Sequence, residues 1–194
     1  MAVVNFPVDG NEPVPVQRVS LDIVKVLVVD DDEDALAELS ESLMDAGLLC
    51  VPCESPFDAL ERALHDETVW AVVTDYMMPG MSGLEMLGKL RATTRAQDIA
   101  CLFVSGNAGK AQVVEALRLG AVEFFDKPVD PDALASAVKA AIQKLQSQKE
   151  SAREFRDLSE KTNELGSKLV AAQTDLERTE MDLQVSRQAR TEFL

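Results

Sequence analysis

The sequence predicts an α/β protein: a five-stranded, parallel, doubly wound sheet followed by a long C-terminal α-helical coiled coil. Three observations carry that expectation. From Lys25 to about Lys144, short apolar runs alternate with helix-spaced apolar patterns, and strands alternating with helices imply right-handed crossovers and a parallel sheet. The strand runs are continuously apolar, as strands covered on both faces require. From about Gln146 to Leu194 the chain turns to dense Glu, Lys, Arg, Gln and Ala without proline. The expected organisation is an extended or disordered arm at 1–23, carrying Pro7, Pro13 and Pro15 without periodicity, an α/β domain at 24–145, and a coiled-coil helix at 146–194.

Val26-Leu27-Val28-Val29 is the first strand. Asp32 or Asp34 caps the next helix, where Leu36, Leu39, Leu43 and Met44 recur until Gly47 stops it. Leu48 to Cys53 reads as a second strand, and Ala59, Leu60, Ala63 and Leu64 mark a second helix. Val69 to Val73 is a third strand ending at Thr74-Asp75, followed by Leu84, Met86, Leu87 and Leu90 on a helix. Ala100 to Val104 is a fourth strand; Val113, Val114, Ala116, Leu117 and Leu119 lie on the helix that ends at Gly120. Ala121 to Phe125 is the expected fifth strand, and a last helix begins after Pro131.

Charge narrows the function. There are 34 acidic against 19 basic residues, a net charge of −15, which opposes binding to nucleic-acid phosphates or an anionic membrane. No apolar run approaches the roughly 20 residues that span a bilayer. The N-terminus lacks the basic and apolar regions of a secretory signal, so a cytoplasmic location is expected. Cys50, Cys53 and Cys101 do not make a disulfide framework. Cys50 and Cys53 have C-x-x-C spacing, but they lie in a strand rather than at a helix N-terminus that would stabilise a thiolate. Buried structural cysteines are expected. The single histidine, His65, falls on a polar helix end.

Ligands of parallel sheets bind at the carboxyl ends of the strands. The first strand ends in Asp30-Asp31-Asp32, the third in Asp75, the fourth in Ser105, and the fifth in Asp126-Lys127-Pro128. Folding would bring three carboxylates (Asp30, Asp31, Asp75), a hydroxyl and an ammonium to one edge. Carboxylates so crowded need a cation to stay ionised, and an oxygen-rich, hydrated site suits Mg²⁺, with Mn²⁺ as a substitute. Lysine and serine can hold phosphoryl oxygens, leaving one carboxylate as a nucleophile that forms an acyl phosphate. Taken alone, the Asp30–Asp32 triplet would be an ordinary acidic helix start; its joint occurrence with the other strand ends raises the functional reading above that.

Val28-Val29-Asp30-Asp31-Asp32, Thr74-Asp75-Tyr76-Met77-Met78-Pro79-Gly80-Met81-Ser82-Gly83, Val104-Ser105-Gly106 and Phe124-Phe125-Asp126-Lys127-Pro128 together resemble the receiver domain of two-component response regulators, over about Lys25 to Lys144. The resemblance implies a flavodoxin-like fold and phosphotransfer from a phosphohistidine on a histidine kinase or phosphotransfer protein. By position, Asp75 resembles the phosphoacceptor. Asp30 and Asp31, with Asp75 and the backbone carbonyl of Met77, resemble the Mg²⁺ set. Ser105 takes the hydroxyl switch position, Lys127 the phosphate-contacting lysine, and Phe124 the switch aromatic, without the hydroxyl of the tyrosine frequent there. Phosphorylation, adding roughly −2 charge, would draw Ser105 towards it and let Phe124 turn inward, altering the surface of the fourth helix, fifth strand and fifth helix.

Beyond the domain, Phe155, Leu158, Thr162, Leu165, Leu169, Ala172, Leu176, Thr179, Leu183, Ser186, Arg190 and Phe193 alternate by three and four. That period marks a coiled-coil seam and a homodimer. Upstream, Val138, Ala141, Leu145 and Ala152 follow a shifted frame, so a stammer is expected near 152–158. The polar seam residues and Gly166 make the seam weak. Residues 146–194 carry 8 basic and 10 acidic residues, which excludes a basic zipper. Gln188 to Leu194 resembles the lead-in to the dimerisation helix of sensor histidine kinases, implying a kinase core beyond this chain. No stand-alone enzyme is expected beyond Mg-dependent self-phosphorylation and dephosphorylation. The alternative is a dimeric coiled-coil scaffold or adaptor whose receiver fold is not regulated by phosphorylation. A phosphohydrolase ranks third, since Tyr76 and Met77 stand where it would want a second acid.

Overall fold

The computed structural model describes residues 24–95, 97–106 and 109–191, with side chains as far as residue 183; the expected arm at 1–23 lies outside that range, and the expected kinase lead-in at 188–194 lies outside it or beyond the described side chains. Five strands alternate with five helices: β1 (Lys25–Val29), α1 (Glu33–Asp45), β2 (Leu49–Cys53), α2 (Pro56–His65), β3 (Val69–Thr74), α3 (Gly83–Arg91), β4 (Ala100–Ser105), α4 (Lys110–Arg118), β5 (Glu123–Asp126) and α5 (Pro131–Thr191). The sheet is parallel throughout, in the order β2-β1-β3-β4-β5. β3 and β4 are buried at every position, as unbroken apolar runs covered by helices on both faces must be.

Alternation along the strands divides the interior into two cores. Leu27, Val29, Val72 and Phe103 join Ala59, Leu87 and Leu90 on one face. Val26, Val28, Val73 and Leu102 join Leu39, Leu43, Leu134 and Val138 on the other. Cys53 belongs to the first core and Cys50 to the second, so the C-x-x-C pair points to opposite faces of β2. All three cysteines are free and buried. Burial pushes the thiols up to about 11 for Cys50 and Cys101 and about 12 for Cys53, which keeps them protonated and unreactive at neutral pH.

Caps set the element boundaries. Asp32, not Asp34, caps α1, accepting from the backbone N–H of Asp34 and Ala35 at 3.0 Å each. Gly47 follows with φ +85°, a left-handed conformation that favours glycine. β5 begins at Glu123 rather than at the expected Ala121. The Ala121 N–H donates to Ala116 O at 2.9 Å, so this buried apolar residue closes the end of α4.

α5 continues for 61 residues, about 90 Å at 1.5 Å per residue, and passes 145–146 without a break. Its first turns lay Leu134, Ala135, Val138, Ala141 and Ile142 on the sheet. Beyond Lys149 every described side chain of α5 is exposed. Among the described residues no helix is long and apolar enough to cross a membrane.

At the edge where the strands begin, Asp66 receives Thr68 Oγ1 and, at 2.9 Å, Lys25 Nζ. Arg95 donates to the carbonyls of Ala63, Asp66 and Val69 at 2.6 to 3.0 Å. The Thr68 hydroxyl and then Lys25 hold the Asp66 carboxyl down at about 2. A carboxyl lowered by folding stabilises the fold above its ordinary value of about 4, and that stability is lost as pH falls through the lowered value. Asp66→Asn should therefore lower the urea midpoint modestly at pH 7. Its difference from the parent protein should close as the pH of the urea titration is taken from about 4 to about 2.

Candidate functional site

The sheet order places the ends of β1 and β3 side by side, with Val29 in register with Thr74, so the residues that follow them, Asp30 and Asp75, are neighbours. The Asp75 N–H donates to Val29 O at 2.8 Å. Both carboxylates are nearly out of solvent, Asp30 at 2% exposure and Asp75 at 8%. Ser105, at the end of β4, is equally buried.

Lys127 reaches this edge from just beyond β5. Its backbone N–H donates to Ser105 O at 3.0 Å, and the following bond to Pro128 is cis. Its Nζ lies 2.6 Å from Asp30 Oδ2 and 3.4 Å from Asp75 Oδ1. The other oxygens are also held: Asp30 Oδ1 accepts from the Asp32 N–H at 3.0 Å, and Asp75 Oδ2 from the Met77 N–H at 2.6 Å. Two buried carboxylates thus share one ammonium, and with all three ionised one negative charge is left over.

The titration of the group follows from that imbalance. Burial pushes the Asp75 carboxyl up, and the charge of Asp30 adds to it, against the opposing Met77 N–H and Lys127. Burial works to lower Lys127, but its hydrogen bond to Asp30 and the charges of Asp30 and Asp75 outweigh it, and the net shift is upward. Lys127 therefore stays charged across the neutral range.

The corner beyond Asp75 depends on a glycine that sequence reading did not single out. A Cβ on Gly83 would collide with the backbone carbonyl of Asp75 and meet Phe103 Cε1 at 3.0 Å and Thr74 Oγ1 at 3.1 Å. Only glycine lets α3 start this close to the acidic corner, where its N–H donates to Tyr76 O at 3.1 Å. Ser82 and Glu85 form a reciprocal capping box on α3. The Ser-x-x-Glu spacing was the available signal for that helix start.

Of the other expected site residues, Asp31 is exposed. Among the described residues no group of three carboxylate, thiol or imidazole side chains is gathered closely enough to hold a metal, so two carboxylates converge where three were expected. The Met77 side chain is 62% exposed while its N–H faces Asp75. Phe124 is half-buried and stacked on Phe103, with ring centroids 5.8 Å apart and planes at 5°, and it lies 6.4 Å from Tyr76.

Fold and strand-end chemistry together define the class of receiver-type signalling domains. The family model described as the response regulator receiver domain matches residues 26–139, and the chain belongs to that family. It is 36% identical over 114 residues to the transcriptional regulatory protein FixJ of Azorhizobium caulinodans, covering 59% of this chain and 53% of FixJ. It is 33% identical over 112 residues to a chemotaxis protein CheY homolog of Campylobacter jejuni, covering 57% of this chain and 86% of that protein. Among solved structures, a response regulator receiver protein from Pseudomonas putida superposes with a TM-score of 0.57 at 30% identity, over 60% of this chain and 96% of that one. A receiver domain protein from Clostridium thermocellum gives 0.60 at 25%, over 64% and 98%. The chain spans only 53% of FixJ and 64% of the response regulator protein TodT of Pseudomonas putida.

Because folding raises Asp75, the fold favours its protonated form. Stability on this account is fullest below the ordinary carboxylate value of about 4 and falls as pH rises through the raised one. Asp75→Asn leaves the neutral Asp30–Lys127 pair, so in chelator at pH 7 the variant should melt a few degrees higher than the parent. The gap should narrow on acidification, as read by circular dichroism melts.

Proposed function

We propose that Asp75 accepts a phosphoryl group from a phosphohistidine on a histidine kinase or phosphotransfer protein, and that the change passes to a dimeric coiled coil. The observation that carries this reading is Lys127 held between Asp30 and Asp75 in a buried corner that retains a negative charge. In the transfer, an Asp75 oxygen bonds to phosphorus as the bond from phosphorus to the donor imidazole nitrogen breaks, and that nitrogen keeps the electron pair. Such transfers need positioning and charge neutralisation more than covalent help from the protein. The Met77 N–H fixes one Asp75 oxygen and leaves the other, beside Lys127, for the attack. Lys127 can then turn part of its charge from Asp30 to the incoming phosphoryl oxygens. The Ser105 hydroxyl, without a hydrogen-bond partner among the described residues, can donate to another.

The donor set suits Mg²⁺. Each carboxylate accepts about four hydrogen bonds or metal contacts in all, so Asp30 and Asp75 have capacity beyond the contacts they make. Mg²⁺ commonly takes one or two carboxylates and keeps its waters rather than filling an all-protein cage, so the absence of a three-carboxylate cluster is no obstacle. Asp30 and Asp75 would hold it, with Asp31 and the Met77 carbonyl as further oxygens and Mn²⁺ as a substitute. When bound, the ion would supply the positive charge that the corner lacks. Phe124, stacked on Phe103, would be the aromatic ring that responds when Ser105 moves towards the phosphoryl group.

A second copy is the proposed occupant of the stalk's apolar stripe. Phe155, Leu158, Leu165, Leu169, Leu176 and Leu183 are each 58% to 76% exposed in the single chain, and a lone helix gains little from apolar side chains left in water. At about 100° per residue, this stripe lies roughly 150° round α5 from the one that faces the sheet. The domain therefore leaves it open to a partner along its whole length. A histidine kinase core following in the parent protein would be the output of such a stalk.

Acetyl phosphate with Mg²⁺ should add the mass of one phosphoryl group to the parent protein and none to Asp75→Asn. Labelling elsewhere, or equal labelling of the variant, would overturn the reading. In sedimentation experiments the full chain should run as a dimer, and Leu165→Glu with Leu169→Glu should run as a folded monomer. A dimer that takes up the label with no change in Trp70 emission or stalk mobility would favour the adaptor reading instead.

A further inference from the structure

Lys149 is placed where the inward face of α5 would carry another apolar residue. It stands four positions after Leu145 and seven after Ile142, both of which pack on the sheet. Its Nζ lies 4.3 Å from the centre of the Trp70 ring and 3.4 Å from Asp98 Oδ1. The Lys149 side chain is 29% exposed and Trp70 is 9% exposed, so the lysine stem covers the indole while its charge reaches the rim. No other described residue of α5 combines a ring contact with an ion pair to the domain.

We propose that Lys149 is a positioning residue that clasps the stalk to the domain and sets the rotational phase at which α5 leaves it. Three features carry this. Beyond Lys149 all described side chains of α5 are exposed, so the clasp is the final point at which the domain orients the helix. The exposed stripe begins six positions later at Phe155, so a turn of the helix at Lys149 is a turn of the stripe. The clasp also grips two strands at once: Trp70 opens β3 and Asp98 precedes β4, the strands whose far ends carry Asp75 and Ser105. The inference concerns the unphosphorylated chain and stands independently of the role proposed for Asp75.

The test uses the full chain in chelator, comparing the parent with Lys149→Met, which keeps the apolar stem without the charge, and with Lys149→Arg, which keeps both. Amide hydrogen exchange from residues 146 to 154 should quicken roughly 2- to 10-fold in Lys149→Met, the range expected for loss of a partly exposed cation–π contact. Exchange in β1, β3 and β4 should stay unchanged, and the emission of Trp70, the chain's one tryptophan, should shift. Lys149→Arg should restore both signals. Parent-like exchange at 146–154 in Lys149→Met would overturn the proposal. So would a rise spread evenly through the sheet, since that would make Lys149 a general stabiliser rather than a clasp. Loss of phosphoryl labelling at Asp75, by contrast, would leave this result untouched.

Discussion

The structure turns on a deficit of positive charge. Asp30 and Asp75 are buried side by side, and Lys127 is the ammonium that meets them both. Removing a charge from water is tolerable only when a partner replaces the lost hydration. One lysine replaces it for one carboxylate and leaves the other undercompensated, which is why burial dominates the upward shift of Asp75. A corner in that condition favours the protonated form of Asp75, and the proposed cation would relieve the same deficit.

Topology alone brings these groups together. β1 and β3 are adjacent because the first crossover carries the chain out to β2 and the second returns it past β1, so two sequence-distant aspartates end at one corner. β4 and β5 extend the same edge and deliver Ser105 and Lys127. Close approach then limits what the corner tolerates. Gly83 leaves room for the Asp75 carbonyl, and the Met77 N–H takes up one carboxylate oxygen at 2.6 Å. The binding corner is therefore largely a property of backbone geometry, with a few side chains added.

That is also why so much of it was legible in the sequence. β1, β3 and β4 read as continuous apolar runs, and parallel strands expose whatever follows them, so Asp30, Asp75 and Ser105 fall on one edge from the sequence alone, with Lys127 beside them after the shorter Phe124-Phe125 run. The misses have local causes. Within Asp30-Asp31-Asp32 the three residues take three different fates, buried partner, solvent and helix cap, and a triplet of identical residues does not tell which is which. Ala121 reads as strand because it is apolar, but its N–H is spent on the end of α4. That Phe124 stacks on Phe103 and lies near Tyr76 is a fact of packing across strands, which no single strand's pattern displays. Lys149 was invisible for the plainest reason: a lysine in a helix dense with charge looks solvated, and the indole it covers is distant in the chain.

The stalk obeys a different physics from the domain that carries it. The sheet binds one face of α5 through closely packed apolar side chains, whereas the distal stripe is interrupted by Thr162, Ala172 and Thr179, which contribute little to a seam. In the proposed dimer a stripe of that kind would make a weak seam, and contacts at its root would weigh the more on how it pairs. The root is also where the inward face gives way to the exposed stripe, roughly 150° away round the helix, and the sheet does not touch the few residues between them. A cation–π contact and one ion pair tie Lys149 to the domain just before every described side chain of α5 turns to solvent, so the proposed phase of the stripe rests on them.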